Sequence, residues 1–493
     1  MRNQKIVLGV TPTHRNDASF PLERGLYYKK EIFKRLQELG IEYVDLEDVT
    51  PNGLLSTNSD VVAAEKKLKE AGVDALFIPF IDFGSEGASC QLAHKLNVPV
   101  LMWGPRDYTG QGNDGDVQCG MIAAGKVFRR FSIPFTYFPT CFLEDTLFEK
   151  GIKNFIAVAN VVKTFRNLYI LQIGPRPESF WSVMCNEGEL LEKFGIKIYP
   201  ITISEIVSKT KEMMEQKKDE VAAIVAKLKE RANITVKEEI LTKSAALKLA
   251  MDFYRKETLT NCCAFQCWYA LQAELGIWPC TAMSLLNEEG YTCICEGDIH
   301  GTISCMLATA ATMGRTTPWF GEWCFRHPTI EHAEYVAHCG NCSMDLFKDK
   351  PTIGTRCFEF AKDMGGHVCG EIKDGDLTYF RFDGDHGEYS MLLGKAKRIE
   401  EGDTCKRGAR MWMELPDVRK LEMHVVYGPY IHHCAIIHED ITPVMLEAGK
   451  YMNVKPDFTY EEQRKAAEEY LLTESMPNGP AGLEVTVGEP MIG

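Results

Sequence analysis

Ala75-Leu-Phe-Ile-Pro-Phe-Ile81-Asp-Phe-Gly-Ser-Glu-Gly87 is an uninterrupted apolar run that stops at a loop of Asp, Gly, Ser and Glu. A run this short, with no polar residue in alternate positions, suits a strand buried on both faces, as in a parallel sheet covered by helices. Val98–Trp103 repeats the arrangement and empties into Gly104-Pro-Arg-Asp-Tyr-Thr-Gly-Gln-Gly112. Upstream, Lys5–Val10 leads into the polar loop Thr11–Ser19. A helical pattern then runs from Leu22 to Leu39 and closes at Gly40. Strand, loop and helix therefore alternate, and in such sheets the loops beyond the strand ends carry function.

A second unit of the same kind starts at Asn167. Leu168–Ile173 reads as a strand, Gly174-Pro-Arg-Pro177 as a turn, and a helical pattern through Leu191 stops at Gly195 before a strand at Ile196–Ile203. Residues 204–256 are rich in Lys, Glu and Ala and read as one or two surface helices with a solvated charged face. Tyr291–Cys295 is a short strand, and Thr302–Met313 a helix of small residues. After Lys350 the pattern becomes β-like, with turns at Asp374-Gly375, Asp383-Gly-Asp385 and Glu401-Gly402 and a late amphipathic helix at Thr459–Leu472. The expected class is α/β. Two parallel-sheet, Rossmann-like domains (1–166 and 167–345) precede a β-rich, barrel-like domain (346–493), in keeping with a length of about three domains.

With 493 residues, 55 Lys plus Arg and 69 Asp plus Glu, the net charge is −14. That argues against a protein built to grip nucleic acid or an anionic membrane, since either calls for a basic stripe. The start lacks the apolar core of a signal peptide, and no stretch of ~18 apolar residues exists. The expectation is a cytoplasmic protein with reduced thiols. Its 18 cysteines then serve as small buried hydrophobes, metal ligands or a redox centre.

Four places join acids and histidines to short apolar strands: Cys295-Glu-Gly-Asp-Ile-His300, Trp319-Phe-Gly-Glu-Trp-Cys-Phe-Arg-His327, His332-Ala-Glu-Tyr-Val-Ala-His338 and Tyr427-Gly-Pro-Tyr-Ile-His-His433. A carboxylate set among glycine and apolar residues is either paired in the core or a ligand. Glutamates and histidines together form an oxygen/nitrogen site. That set suits a fairly hard divalent ion such as Mn²⁺ better than structural zinc.

Gln266-Cys-Trp-Tyr-Ala-Leu-Gln-Ala-Glu-Leu-Gly-Ile-Trp-Pro-Cys280, continuing into Cys295-Glu-Gly-Asp-Ile-His-Gly301, resembles the L-fucose isomerase / L-arabinose isomerase superfamily of metal-dependent aldose–ketose isomerases. Asn186-Glu-Gly-Glu-Leu-Leu-Glu-Lys-Phe-Gly-Ile196 resembles the opening of that family's second domain. The resemblance implies that Glu296 and Glu322 are both metal ligands and the acid/base pair, with His338 and His433 as the imidazole ligands. It also implies a homo-oligomer, a trimer or hexamer, in which a neighbouring subunit's N-terminal domain helps to close the site. The second acid is Glu322, as in arabinose isomerases, where fucose isomerases carry Asp. The chain lacks much of the longer fucose-isomerase C-terminal region.

The substrate expected from this resemblance is a small sugar. His432, Trp319 and Trp323 are candidates to touch it, with core packing as the alternative for the tryptophans. Asp298 and His300 are expected to shape the loop or the pocket. Arg15 and Arg106 could reach the sugar from N-terminal loops, and with Arg176 and Arg326 could hold a phosphate or sulfonate. Two other classes stay open at this point. Cys262-Cys263 with Cys267, Cys293-x-Cys295 and Cys339-x-x-Cys342 could make a zinc or thiol-redox site, although no paired knuckles at zinc-ribbon spacing occur. A non-catalytic sugar-binding protein is the other.

Overall fold

The computed structural model describes residues 5–17, 19–106, 115–355, 364–400 and 408–472. Two units divide the chain: Lys5–Val162 with Leu446–Tyr451 and the stretch from Lys465, and Lys163–Met445 with Met452–Arg464. The loop expected at residues 107–112 and the turn at Glu401-Gly402 lie outside the described residues.

In the first unit, β1 (Leu8–Val10), β2 (Tyr43–Val44), β3 (Ala75–Pro79), β4 (Val100–Trp103) and β5 (Thr136–Tyr137) form a parallel sheet in the order β2-β1-β3-β4-β5. Every residue of β3 and β4 is buried, as their unbroken apolar runs imply. The helix Asn58–Glu70 opens on a capping box between Thr57 and Asp60, which satisfies donors that the first turn leaves unpaired. Its Val61, Ala64 and Leu68 pack in one core with Leu76, Ile78 and Met102.

The second unit holds two sheets. β6 (Tyr169–Ile173), β7 (Lys197–Ile201), β9 (Cys262–Phe265) and β10 (Thr292–Ile294) are parallel in the order β10-β9-β6-β7, while β8 (Asn233–Ile234) joins the other sheet. Residues 204–256 correct the expectation of one or two surface helices. Three form: Ile203–Gln216, Lys218–Arg231 and Glu238–Thr258. The third buries Leu241, Ala245, Leu247 and Met251. Its charges, of which Lys248 and Asp252 are buried and paired with each other, conceal in a composition count an Ala/Leu stripe that faces the core.

The remaining strands are β11 (Trp319–Arg326), β12 (Ala333–His338), β13 (Thr352–Thr355), β14 (Gly365–Glu371), β15 (Asp376–Asp385), β16 (Glu388–Ile399), β17 (Ala409–Glu414), β18 (His433–Ile437) and β19 (Lys455–Phe458). The pairings β15–β16, β16–β17, β17–β12, β12–β11, β11–β18 and β18–β15 are all antiparallel and return to their start, so these strands close a barrel. Closure leaves no open edge within the ring. β17 makes it possible by dividing: Ala409 and Arg410 pair with β14, while Trp412–Glu414 pair with β16. Trp319, Val336, Tyr379, Leu392 and Ile436 share the core cluster. β11 and β12 precede residue 346, so the barrel draws on chain from both sides of that position.

The turn expected at Asp383-Gly-Asp385 is part of β15. The chain reverses two residues later, at His386-Gly387, between the paired Asp385 and Glu388. One of the two favoured two-residue hairpin loops has positive φ at both positions, and His386 (48°) and Gly387 (82°) supply it. Asp383 stays in the strand, with its carboxylate held by Arg381. No helix among the described residues is long and apolar enough to cross a membrane.

Candidate active site

Glu296 follows β10 at the C-terminal end of the parallel sheet, in a turn where Glu296 (φ 66°) and Gly297 (φ 67°) both adopt left-handed backbone. Asp298 caps the next helix, Ile299–Ala311, by accepting from the Gly301 N–H at 2.8 Å. Glu322 lies in mid-β11, directly paired with His433, the first residue of β18. His338 ends β12, beside the residue that pairs with Glu322. One loop of the α/β sheet and three barrel strands thus bring the four ligands expected from the sequence into one unit.

Ligand atoms of Glu296, Glu322, His432 and His433 all lie within 4.8 Å of one another. Glu296 Oε2 stands 3.2 Å from His433 Nε2. Both atoms are buried, and they face one another as an ion pair with no further polar partner among the described residues. Their other atoms are held: the Trp268 indole N–H donates to Glu296 Oε1 at 3.1 Å, and His433 Nδ1 meets Asp298 Oδ2 at 3.0 Å. Phe320 packs its ring 4.7 Å from His433 and 5.1 Å from His338, centroid to centroid. Each inner residue therefore turns one fixed atom, Glu296 Oε2 and His433 Nε2, toward a common point, and loss of the His433 proton would leave both as donors to an ion. That arrangement fits a cation held by mixed oxygen and nitrogen donors.

The electrostatics agree. Burial opposes the charge on Glu296, but the hydrogen bond and charge of His433 outweigh it and bring the carboxyl down to about 2. Burial also opposes a proton on His433. Its bonds to Asp298 and Glu296 win and push the imidazole up to about 10. Asp298 is held far below the carboxylate range against its burial, chiefly by Arg381. Burial and the neighbouring His433 drive His432 down to about 4.

Residues 9–166 match the N-terminal domain of the fucose/sulfoquinovose isomerases. A sulfoquinovose isomerase of Priestia aryabhattai is 24% identical over 425 residues, covering 83% of this chain and 90% of the relative; that of Priestia megaterium gives the same figures. A third, from Alkalicoccus urumqiensis, is 24% identical over 419 residues, covering 81% and 89%. The chain is thus similar to the fucose isomerase-like family, through the family model over its N-terminal part and through these relatives over most of its length. These relatives are sugar isomerases by name.

His338, wholly buried, stands with Nε2 3.5 Å from Glu322 Oε1. His432, expected to touch substrate, belongs to the tight ligand group instead of His338. Trp319 is 1% exposed in the barrel core, whereas Trp323 packs edge-on to Tyr379 and, with His432, Arg326 and Tyr430, lines a cavity of about 510 Å³. Arg326 lies 3.7 Å from Glu422, and the Arg176 guanidinium donates to the backbone carbonyls of Pro177 and Glu178. Arg15 and Arg106 belong to the other unit. Arg15 bonds Asp17 and lies over Phe83, beside the buried His14–Asp82 pair, and Arg106 lies over Phe142.

Three residues escaped the sequence reading. Trp268 stood within the family-like stretch without a role. Arg381 and Asp383 had a signal: Tyr379-Phe-Arg-Phe-Asp383 puts two charges on one face of an apolar strand, where they must find buried partners. The described cysteines contribute no member to the ligand group. Burial raises Cys262, Cys342 and Cys434 well above the ordinary range, which suits packing and opposes thiolate chemistry.

Proposed function

We propose that the protein is a divalent-metal-dependent aldose–ketose isomerase that moves a proton between carbon 2 and carbon 1 of an open-chain sugar through a cis-enediol. The observation that carries this reading is the convergence of two glutamates and two imidazoles within 4.8 Å, with the buried Glu296 Oε2 and His433 Nε2 turned toward one another. Glu296, Glu322 and His433 would hold the ion, with His338 as the fourth ligand, and Mn²⁺ is the ion this donor set suits. When bound, the ion polarises the sugar carbonyl and hydroxyl and stabilises the negative charge that develops between them.

The chain's own residues do the rest. One glutamate removes the carbon 2 proton and the other manages the hydroxyl proton as the enediol forms. Trp268 holds Oε1 of Glu296, so its Oε2 faces the site. Asp298 engages Nδ1 of His433, so Nε2 is the ligand atom. Trp323 and His432, which line the adjoining cavity, would meet the sugar chain. The relatives' names make sulfoquinovose, a sulfonated sugar, the first substrate to test, with Arg15, Arg106, Arg176 and Arg326 as candidate partners of an anionic group. A trimer or hexamer in the cytoplasm completes the proposal.

The test is a panel of neutral and anionic aldoses incubated with purified protein and Mn²⁺, following ketose formation and loss of the carbon 2 proton in D₂O. Glu296→Gln and Glu322→Gln are each expected to lower turnover by about 10³-fold while the protein stays folded. Full activity in either variant sinks the mechanism. A preference for neutral pentoses or 6-deoxyhexoses rejects the anionic substrate.

A further inference from the structure

Arg381 sits in the middle of β15 between Phe380 and Phe382 and is 1% exposed. A buried guanidinium needs a partner for its charge, and this one has two. Nη1 and Nη2 donate to Asp298 at 2.6 and 3.2 Å, and Nε donates to Asp383 at 2.8 Å. Asp383 is fixed in turn by the Gly384 N–H at 2.9 Å and by His300 Nδ1 at 2.8 Å. At the other end, Asp298 Oδ2 meets His433 Nδ1 at 3.0 Å. The result is one buried chain of contacts, His300–Asp383–Arg381–Asp298–His433.

We propose that Arg381 is a positioning residue for the metal-binding imidazole of His433, acting through the plane of the Asp298 carboxylate. The proposal rests on the reading of His433 as a ligand.

The physical reason lies in the last torsion of an aspartate. Rotation of a carboxylate about its Cβ–Cγ bond is soft, so a single contact does not fix where its oxygens point. The helix cap holds Asp298 Oδ1 through Gly301. The Arg381 fork then grips both oxygens and sets the plane, which leaves Oδ2 aligned with His433 Nδ1. A planar fork does this and a point cation does not. Arg381 and Asp383 are two residues apart on one strand face, so β15 supplies the fork and its brace together.

Arg381→Lys keeps the charge and removes the fork. Asp383→Asn keeps the shape and loosens the brace. Two readouts are taken on each: Mn²⁺ affinity by calorimetry, and, in the metal-free protein, the downfield N–H proton of His433 Nδ1 by NMR with ¹⁵N-labelled histidine. With circular dichroism and elution unchanged, Arg381→Lys is expected to weaken Mn²⁺ binding by about 10- to 100-fold, and Asp383→Asn by about 10-fold. Both should move the His433 proton upfield and speed its exchange. Wild-type affinity with an unmoved His433 signal in folded Arg381→Lys overturns the proposal. If that variant does not fold, the same result in Asp383→Asn overturns it. Wild-type protein that binds no Mn²⁺ defeats the metal reading, and the His433 signal then decides the role of Arg381 alone.

Discussion

His433 holds its proton because two carboxylates flank it, and that has a consequence for stability. Its folded value of about 10 exceeds the free value of 6.5. A group raised in this way contributes stability that is fully present below the unfolded value and is lost as pH rises through the folded one. The metal-free protein is therefore expected to lose stability steadily between about pH 6.5 and 10, measured as a falling denaturant midpoint. Mn²⁺ should replace the proton, so binding should release protons and strengthen as pH rises over the same interval. A midpoint that rises from pH 7 to 10 would contradict the pairing.

The two flanking histidines can be separated by substitution. Geometry puts His432 in the tight group, while the resemblance assigns His338 as ligand. His338→Ala is expected to weaken Mn²⁺ binding by about 10- to 100-fold. His432→Ala should chiefly raise KM, with metal affinity nearly unchanged. Calorimetry on both variants decides, and the reverse pattern exchanges the roles.

Among the elements, the loop after β10 sets the site. A left-handed residue at Glu296 followed by another at Gly297 turns the glutamate back over the strand ends, against the preference of any residue with a Cβ. At Gly297 a Cβ would also stand 3.0 Å from the Arg176 Cα. Gly297→Ala is expected to cost about 1–2 kcal/mol in chemical unfolding and to lower activity with it, since Glu296 rides on the same turn. An unchanged unfolding curve would show that the turn relaxes at no cost. Elements of this kind were partly legible beforehand. β3 and β4 announced themselves by unbroken apolar runs, and Glu296-Gly-Asp298 by acids set among glycine. The hairpin at His386-Gly387 was not, because Asp383-Gly384 is the stronger local turn signal. The barrel's need for a long β15, and the Arg381 contact, overrode it.

At the scale of the molecule, the ion should tie an α/β loop to barrel strands within one unit. A ligand that binds only the folded form stabilises it by about 2.7 kcal/mol at one hundred times its Kd. Mn²⁺ at saturating concentration is therefore expected to raise the thermal midpoint, and a chelator to reverse the rise. Mg²⁺ should act more weakly, since it prefers all-oxygen ligands. A midpoint insensitive to both would argue that the cluster is only a buried ion pair.

The amino-acid order by itself determined the alternation of strand and helix, the later change to β structure and the four residues worth watching, because hydrophobic periodicity and isolated buried acids are local signals. It also carried the resemblance to sugar isomerases in a few short motifs. Only the tertiary structure decided that the barrel closes through a divided β17, that His432 and not His338 stands in the tightest group, and that Arg381 reaches Asp298. Those outcomes depend on strand register and side-chain direction between segments far apart in sequence, and a register is fixed by the whole core, not by the residues that happen to meet in it.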